Sequence, residues 1–250
     1  MDLGIEGRVA LVMGASKGLG RGVAESLARE GAKVAIASRS REQLDATAEE
    51  IKGHVTAFVA DAGDLDGLSR LVADVEAELG PIDILVANTG GPPKGLALDN
   101  SIAEWEEAYR SLVLGVRVLV EAVLPGMRER GWGRIVNIGS SSTVEPIPSL
   151  TLSNANRLAA IGFLKTLSRE VAADGITINT IATGKFGTDR LVENEGSLEK
   201  AEQKARETVP AARLGLPEEF GDLVAFLASD RAAYITGTTI PIDGGLLRSV

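Results

Sequence analysis

Short apolar runs alternate with longer amphipathic segments along the whole chain. Runs rich in valine, isoleucine and alanine predict strands over residues 8–13, 33–38, 55–60, 82–87, 134–139, 176–182 and 239–242. Segments with apolar positions at helical spacing predict helices over residues 18–30, 41–51, 64–79, 101–129 and 153–173. Strands that alternate with helices in this way are typical of an α/β fold, a parallel sheet with helices on both faces.

The pattern predicts one domain over residues 1–250, because no repeat, linker or low-complexity tract divides the chain. Residues 184–210 interrupt the alternation with a segment rich in Glu, Lys and Gly. Within that segment Leu198, Ala201, Ala205 and Val209 fall roughly on one helical face. Two interpretations stay open, a lid-like insertion and a solvated surface helix.

A glycine-rich turn follows the first predicted strand and opens the first predicted helix. It reads Gly14, Ala15, Ser16, Lys17, Gly18, Leu19, Gly20. Glycines allow a sharp turn and close approach of a diphosphate, and a helix N-terminus presents free N–H groups to an anion. The turn therefore predicts dinucleotide binding, and the alternative is a tight turn that uses glycine for backbone geometry alone.

Basic residues stand at the end of the second predicted strand, where an NAD-binding protein places a carboxylate on the ribose. The chain has Ser38, Arg39, Ser40 and Arg41 there. Arg39, together with Lys17 from the glycine turn, is able to neutralise a 2′-phosphate. The sequence thus favours NADP(H) and leaves NAD(H) possible, while two merely exposed basic side chains are the alternative.

Composition excludes several classes of function. A net charge of −9 repels a phosphate backbone, so nucleic acid is not an expected partner. With no cysteine and one histidine, His54, no metal site is expected. No run reaches membrane-spanning length and no export signal stands at the N-terminus, so a cytoplasmic protein without a membrane partner is predicted.

Several motifs together resemble the short-chain dehydrogenase/reductase family. The GxxxGxG spacing of Gly14 to Gly20 matches its glycine turn, GRIVNIGS at 133–140 resembles its fifth strand, and residues 213–245 resemble the tail of 3-oxoacyl-[acyl-carrier-protein] reductases. The resemblance implies a single-domain Rossmann fold with a seven-stranded parallel sheet of order 3-2-1-4-5-6-7. It also implies a homo-tetramer, for which the helices over 101–129 and 153–173, expected on one side of the sheet, are the candidate contacts.

The same resemblance assigns roles to individual residues. Ser140 stands at the position of the catalytic serine. The residues implied to contact the cofactor are Gly14, Ser16, Lys17, Gly18, Leu19, Gly20, Ser38, Arg39, Asp61, Ala62, Asn88, Gly90 and Thr188. Among them Asp61 matches the acidic residue that contacts adenine, and Thr188 matches the threonine that closes over the nicotinamide side.

The departures from the family pattern fall on the positions of its catalytic residues and of its cofactor frame. Where the family has its catalytic tyrosine and lysine, this chain has Ser153 and Arg157, and Leu112 replaces the asparagine of the fourth catalytic position. Met13 and Thr183 replace a threonine and a proline of the cofactor frame. The pattern resembles a divergent, 3-oxoacyl-reductase-like branch with a degenerate catalytic tetrad.

Two functions remain open from the sequence, and a third possibility is that cofactor binding is also lost, because Met13 and Thr183 alter its frame. The first is an NADP(H)-dependent oxidoreductase that acts on a small or acyl-linked carbonyl compound, with Ser140, Ser153 and Arg157 serving a non-standard proton route. An aliphatic hydroxyl is a far weaker acid than a phenol, and Arg157 stays protonated, so this route relies on hydrogen bonding and charge. The second is a catalytically silent NADP(H)-binding protein that senses cofactor or supports an assembly.

Overall fold

The computed structural model describes residues 1–249 and contains one seven-stranded parallel sheet. Its order is β3-β2-β1-β4-β5-β6-β7, which confirms the predicted fold class and strand order. Each observed strand lies within one residue of its predicted bounds at either end. The strands are β1 (Val9–Met13), β2 (Lys33–Ser38), β3 (His54–Val59), β4 (Ile82–Ala87), β5 (Gly133–Ile138), β6 (Ile176–Thr183) and β7 (Thr239–Ile242).

Helices cover both faces of the sheet. They are α1 (Gly18–Arg29), α2 (Arg41–Glu50), α3 (Leu65–Leu79), α4 (Ile102–Tyr109), α5 (Gly115–Arg130), α6 (Thr151–Val171), α7 (Asp189–Glu195), α8 (Leu198–Thr208) and α9 (Pro217–Leu227). Side chains of β1 alternate between the two cores, since Ala10 and Val12 pack with α1 and α9, whereas Leu11 packs with α3, α5 and α6. As predicted, α5 and α6 lie on the same face. Within residues 1–249 no helix combines the length and apolarity needed to cross a membrane.

Helical structure covers residues 102–130, as predicted over 101–129, but it is not one regular α-helix. Ser101 begins α4 with a capping box that includes Glu104, but a π-helical segment, Arg110–Leu114, separates α4 from α5. Apolar residues continue across this segment, so the periodicity alone did not reveal the change of helical pitch. π-Helical turns are rare and often occur at functional sites.

Backbone contact between α1 and α9 fixes the position of the first helix. A Cβ on Gly22 would lie 2.7 Å from the Pro217 carbonyl carbon, and a Cβ on Gly221 would lie 2.7 Å from the Gly22 carbonyl carbon. Only glycine allows this approach, because any side chain would force the two helices apart. The N-terminus of α1 therefore has a fixed direction relative to the sheet.

The segment over 184–210 contains two helices, α7 and α8. Ala201, Ala205 and Val209 are buried, as their helical spacing predicts. Leu198, on the same helical face, is 50% exposed. It is the first residue of α8.

Candidate functional site

A groove of about 620 Å³ runs along the carboxyl edge of the sheet, beside the turns that follow β1, β2, β3 and β4. We call it the carboxyl-edge groove. Parallel strands end at the same edge, so residues distant in sequence meet there. Nine of the predicted cofactor residues line it: Gly14, Ser16, Lys17, Ser38, Arg39, Asp61, Ala62, Asn88 and Gly90.

Gly14, Gly18 and Gly20 shape the turn between β1 and α1. Gly14 and Gly18 have φ values of 59° and 58°, in the left-handed region that favours glycine. A Cβ on Gly20 would overlap the Gly14 carbonyl oxygen and lie 2.9 Å from the Cα of Ala15. Gly18, Leu19 and Gly20 form the first turn of α1 and border the groove rather than line it.

The N-terminus of α1 is suited to an anion. Lys17, the N-cap residue, makes no side-chain capping hydrogen bond, and the first turn contains no acidic residue. Backbone N–H groups at such a terminus need an external acceptor. Glycines that allow close approach and an uncapped helix N-terminus fit the diphosphate of a dinucleotide.

Asn88 connects the loop after β4 to the glycine turn. Its Nδ2 donates to the Gly14 carbonyl oxygen at 3.3 Å, and a Cβ on Gly14 would lie 2.8 Å from the Asn88 carbonyl oxygen. Asn88 therefore holds the two walls of the groove together as well as lining it.

Ser38, Arg39 and Asp61 lie at the end of the groove beside β2 and β3. Arg39 is exposed, and it has no ion pair among residues 1–249. The buried Ser38 Oγ likewise has no hydrogen-bond partner in the described chain. An unpaired cation and an unsatisfied hydroxyl fit a phosphate on the adenosine ribose.

Lys17 was predicted to share phosphate neutralisation with Arg39. In the structure its Nζ lies 3.3 Å from Asp189 Oδ2 and 4.0 Å from Glu193 Oε1, both on α7. Its charge is therefore directed toward α7, and its part in phosphate binding stays a prediction.

Arg157 and Ser153 lie side by side on the first two turns of α6. The guanidinium donates from Nε to Ser153 Oγ at 3.2 Å, from Nη1 to the Ile138 carbonyl oxygen at 2.7 Å, and from Nη2 to the Gly90 carbonyl oxygen. Arg157 thus links α6, the end of β5 and the loop after β4. The helix begins at Thr151, two residues before its predicted start, so the buried Ser153 is already helical.

Ser140 follows β5 on the same edge of the sheet. Its Oγ accepts a hydrogen bond from the Ser142 backbone N–H at 3.1 Å, so its own proton is available to another acceptor. Ile138 pairs with Ile181 in the β5–β6 register, and continuing that register places Ser140 beside Thr183. The Thr183 hydroxyl is buried and has no partner within residues 1–249.

Burial dominates the electrostatics of Arg157. Desolvation, and secondarily the positive charge of Arg190, lower the pKa of the Arg157 guanidinium to about 10. The three acceptors around it are neutral, a hydroxyl and two carbonyl groups. At neutral pH this group remains a cation beside Ser153, which allows it to stabilise developing negative charge.

Leu112 and the two tyrosines lie outside the groove lining in the described chain. Leu112 is buried with Ala108, Leu152 and Trp105, inside the π-helical segment. Tyr109 is 46% exposed at the end of α4, and Tyr234 is fully exposed. In the described chain neither phenol lines the groove.

Residues of α7 contact both walls of the groove. Lys17 of the glycine turn pairs with Asp189, and on the other wall Arg190 Nη2 donates to the Pro92 carbonyl oxygen at 3.0 Å. Thr188 faces the glycine turn, since its Cγ2 lies 3.4 Å from where a Gly18 Cβ would stand. Sequence reasoning missed Arg190, although its position two residues after Thr188 was an available signal.

Comparisons with known proteins find relatives that match nearly the whole chain. The family model described as Enoyl-(Acyl carrier protein) reductase matches residues 14–247. Nodulation protein G of Azospirillum brasilense is 37% identical over 96% of this chain and 98% of its own length. The 3-oxoacyl-[acyl-carrier-protein] reductase of Haemophilus influenzae is 36% identical over 98% of this chain and all of its own. The structure of L-sorbose reductase from Gluconobacter frateurii, complexed with NADPH and L-sorbose, has a TM-score of 0.94, 31% identity and full coverage of both chains.

Proposed function

Since the chain belongs to the short-chain dehydrogenase/reductase family, we propose that it is an NADP(H)-dependent reductase of carbonyl compounds that uses no tyrosine as proton donor. The observation that carries this proposal is the Arg157–Ser153 hydrogen bond, at the two positions where the sequence resemblance implies the family's lysine and tyrosine. The expected substrate is a small or acyl-linked carbonyl compound, because the relatives include a 3-oxoacyl-[acyl-carrier-protein] reductase and a sugar reductase.

The residues present fit NADP(H). The glycine turn and the N-terminus of α1 would hold the diphosphate, Asp61 and Ala62 the adenine side, and Ser38 with Arg39 the 2′-phosphate. Bound NADPH supplies the hydride. Relatives described as binding NADPH support the choice of NADP(H) over NAD(H).

Two hydroxyl groups and one cation replace the usual acid. Ser153 Oγ accepts from Arg157 and Ser140 Oγ accepts from the Ser142 N–H, so each hydroxyl retains its proton for donation to a carbonyl oxygen. As that oxygen gains charge, the hydrogen bonds strengthen and the guanidinium stabilises the anion. The proton reaches the alkoxide through the Ser153 hydroxyl, which solvent reprotonates, because an aliphatic hydroxyl is too weak an acid to remain ionised.

Steady-state turnover tests this proposal. We expect NADPH oxidation with at least one member of a panel of ketones, 3-oxoacyl thioesters and α,β-unsaturated carbonyl compounds. Ser140→Ala is expected to lower kcat/KM by about 10²-fold or more while leaving NADPH affinity unchanged, because it removes a donor to the developing oxyanion. Ser168→Ala is the control, since that hydroxyl bonds to Lys165 within its own helix. Equal activity of the Ser140 and Ser168 variants would contradict the role of Ser140.

The pH dependence of hydride transfer provides a second prediction. Because catalysis needs the protonated guanidinium, the single-turnover rate is expected to stay level through neutral pH and to fall as pH rises through about 10, the pKa of Arg157. In Arg157→Lys the fall is expected at lower pH, since the ordinary pKa of lysine is lower and burial lowers it further. An unchanged profile in this variant would show that another group titrates.

A silent NADP(H)-binding protein is the second candidate function. The observation that favours it is the absence of any tyrosine or histidine from the groove lining in the described part of the chain. It predicts NADPH binding without oxidation across the whole panel, together with a protein partner retained only when NADPH is bound. A titration with NADPH, together with the turnover panel described above, separates the two functions.

A further inference from the structure

Arg190 extends from the first turn of α7 across the carboxyl-edge groove. Its Nη2 donates to the Pro92 carbonyl oxygen at 3.0 Å, and its guanidinium lies against Gly91, where a Cβ would stand 2.8 Å from Nη2. The side chain is exposed and forms part of the groove lining. It therefore presents a positive charge between the glycine turn and the loop after β4.

Among residues 1–249 no acid forms an ion pair with Arg190, and this includes Glu104 and Glu107 of the groove lining. Asp189 and Glu193, the nearest acids on α7, both face Lys17 at 3.3 and 4.0 Å. Glu104, which also lines the groove, accepts from the Ser101 backbone N–H at 2.8 Å. No ion pair within residues 1–249 includes Arg190 or Arg157, and the charge of Arg190 lowers the pKa of Arg157. Two guanidinium groups without an acid favour a bound anion.

The position of Arg190 in the groove indicates which phosphate of the dinucleotide it would contact. The groove at this point lies between Gly14 and Lys17 on one wall and Gly90 and Gly91 on the other. The uncapped N-terminus of α1 opens beside it. A phosphate ester held by those N–H groups would meet the guanidinium from the opposite side, whereas the unpaired Arg39 lies at the far end of the groove.

We propose that Arg190 binds the diphosphate of the dinucleotide and exchanges its hydrogen bond with the Pro92 carbonyl oxygen for phosphate oxygens. The segment over 184–210 then acts as a lid, because α7 contributes a cofactor ligand as well as the Lys17–Asp189 contact. This inference rests on the proposed binding of NADP(H). It assigns to Arg190 the diphosphate and to Arg39 the 2′-phosphate.

Binding measurements with three ligands and three variants test the assignment. NADPH, NADH and adenosine 2′-monophosphate are titrated by calorimetry against the parent protein, Arg190→Gln, Arg39→Gln and the control Arg206→Gln. Arg206 lies on α8 with Glu202 at 3.8 Å, so its substitution makes the same charge change in the same segment. Circular dichroism and the midpoint of thermal unfolding check that each variant is folded.

Arg190→Gln is expected to weaken NADPH and NADH binding equally, by about tenfold or about 1.4 kcal/mol, and to leave adenosine 2′-monophosphate unchanged. Arg39→Gln is expected to weaken the binding of NADPH and of adenosine 2′-monophosphate and to leave the binding of NADH unchanged. Arg206→Gln is expected to bind all three like the parent.

Each other outcome overturns a specific statement. If the parent binds NADPH and Arg190→Gln binds it equally well, the diphosphate assignment fails while the proposed function stands. Loss of NADPH affinity without loss of NADH affinity would show that Arg190 binds the 2′-phosphate instead of the diphosphate. A change confined to the KM of an anionic substrate would make Arg190 a substrate ligand instead. A parent that binds neither dinucleotide overturns the proposed function itself.

Discussion

Gly20→Ala is expected to raise the Kd for NADPH at least about 100-fold, which corresponds to roughly 2.7 kcal/mol. The new Cβ would overlap the Gly14 carbonyl oxygen and stand 2.7 Å from its carbonyl carbon. Both atoms belong to the backbone, so the turn must open to relieve the overlap. Opening displaces the N–H groups at the start of α1 that would hold the diphosphate. Titration of nicotinamide fluorescence measures the affinity.

Gly18→Ala is the matched control for this prediction. A Cβ at position 18 would meet only the Thr188 side chain, with Cγ2 at 3.4 Å and Cβ at 3.5 Å, and the remaining cost is the left-handed φ of 58°. That conformation costs an alanine about 1–2 kcal/mol, so a smaller loss of affinity than for Gly20→Ala is expected. Unfolding curves for both variants separate lost binding from lost structure. Parent-like NADPH affinity in folded Gly20→Ala would show that the glycine turn does not hold the cofactor.

Ser153→Tyr combined with Arg157→Lys is expected to increase NADPH-dependent reduction of simple ketones by about 10²–10⁴-fold. This range is the usual contribution of a positioned general acid. The parent presents an aliphatic hydroxyl at position 153, whereas the phenol has a pKa of about 10 that a neighbouring ammonium lowers further. Single-turnover absorbance of NADPH with a ketone present in excess measures the gain.

A second double variant tests whether the gain is due to acidity. Ser153→Phe with Arg157→Lys places a ring of similar size at the same position without a hydroxyl. We expect no gain in ketone reduction from this variant. Equal rates for the phenylalanine and tyrosine variants would mean that proton donation does not limit the reaction. The lysine alone also loses the forked contacts of Arg157 to Ile138 and Gly90, so Arg157→Lys by itself is not expected to help.

The positions of the strands could be predicted from the sequence because each strand is marked by its own run of apolar residues. Valine-rich and isoleucine-rich runs mark β1 to β7, and the glycine turn between β1 and α1 has a fixed spacing. The π-helical segment Arg110–Leu114 was missed because apolar residues continue across it, so the sequence does not mark where the helical pitch changes.

Long-range pairings explain why parts of the site were not predicted. The partners of Lys17 are Asp189 and Glu193, more than 170 positions away in the chain, and local periodicity contains no information about them. Arg190 belongs to a charged segment that, by composition, could equally face solvent. The three neutral acceptors around Arg157 depend on the relative placement of α6, β5 and the loop after β4.

The interlocked glycines Gly22 and Gly221 couple the C-terminal part of the chain to ligand affinity. Because α9 sets the tilt of α1, we expect any loosening of α9 on warming to reorient the amides at the start of α1. Cofactor affinity is then expected to decline at a lower temperature than the one at which the helices unfold.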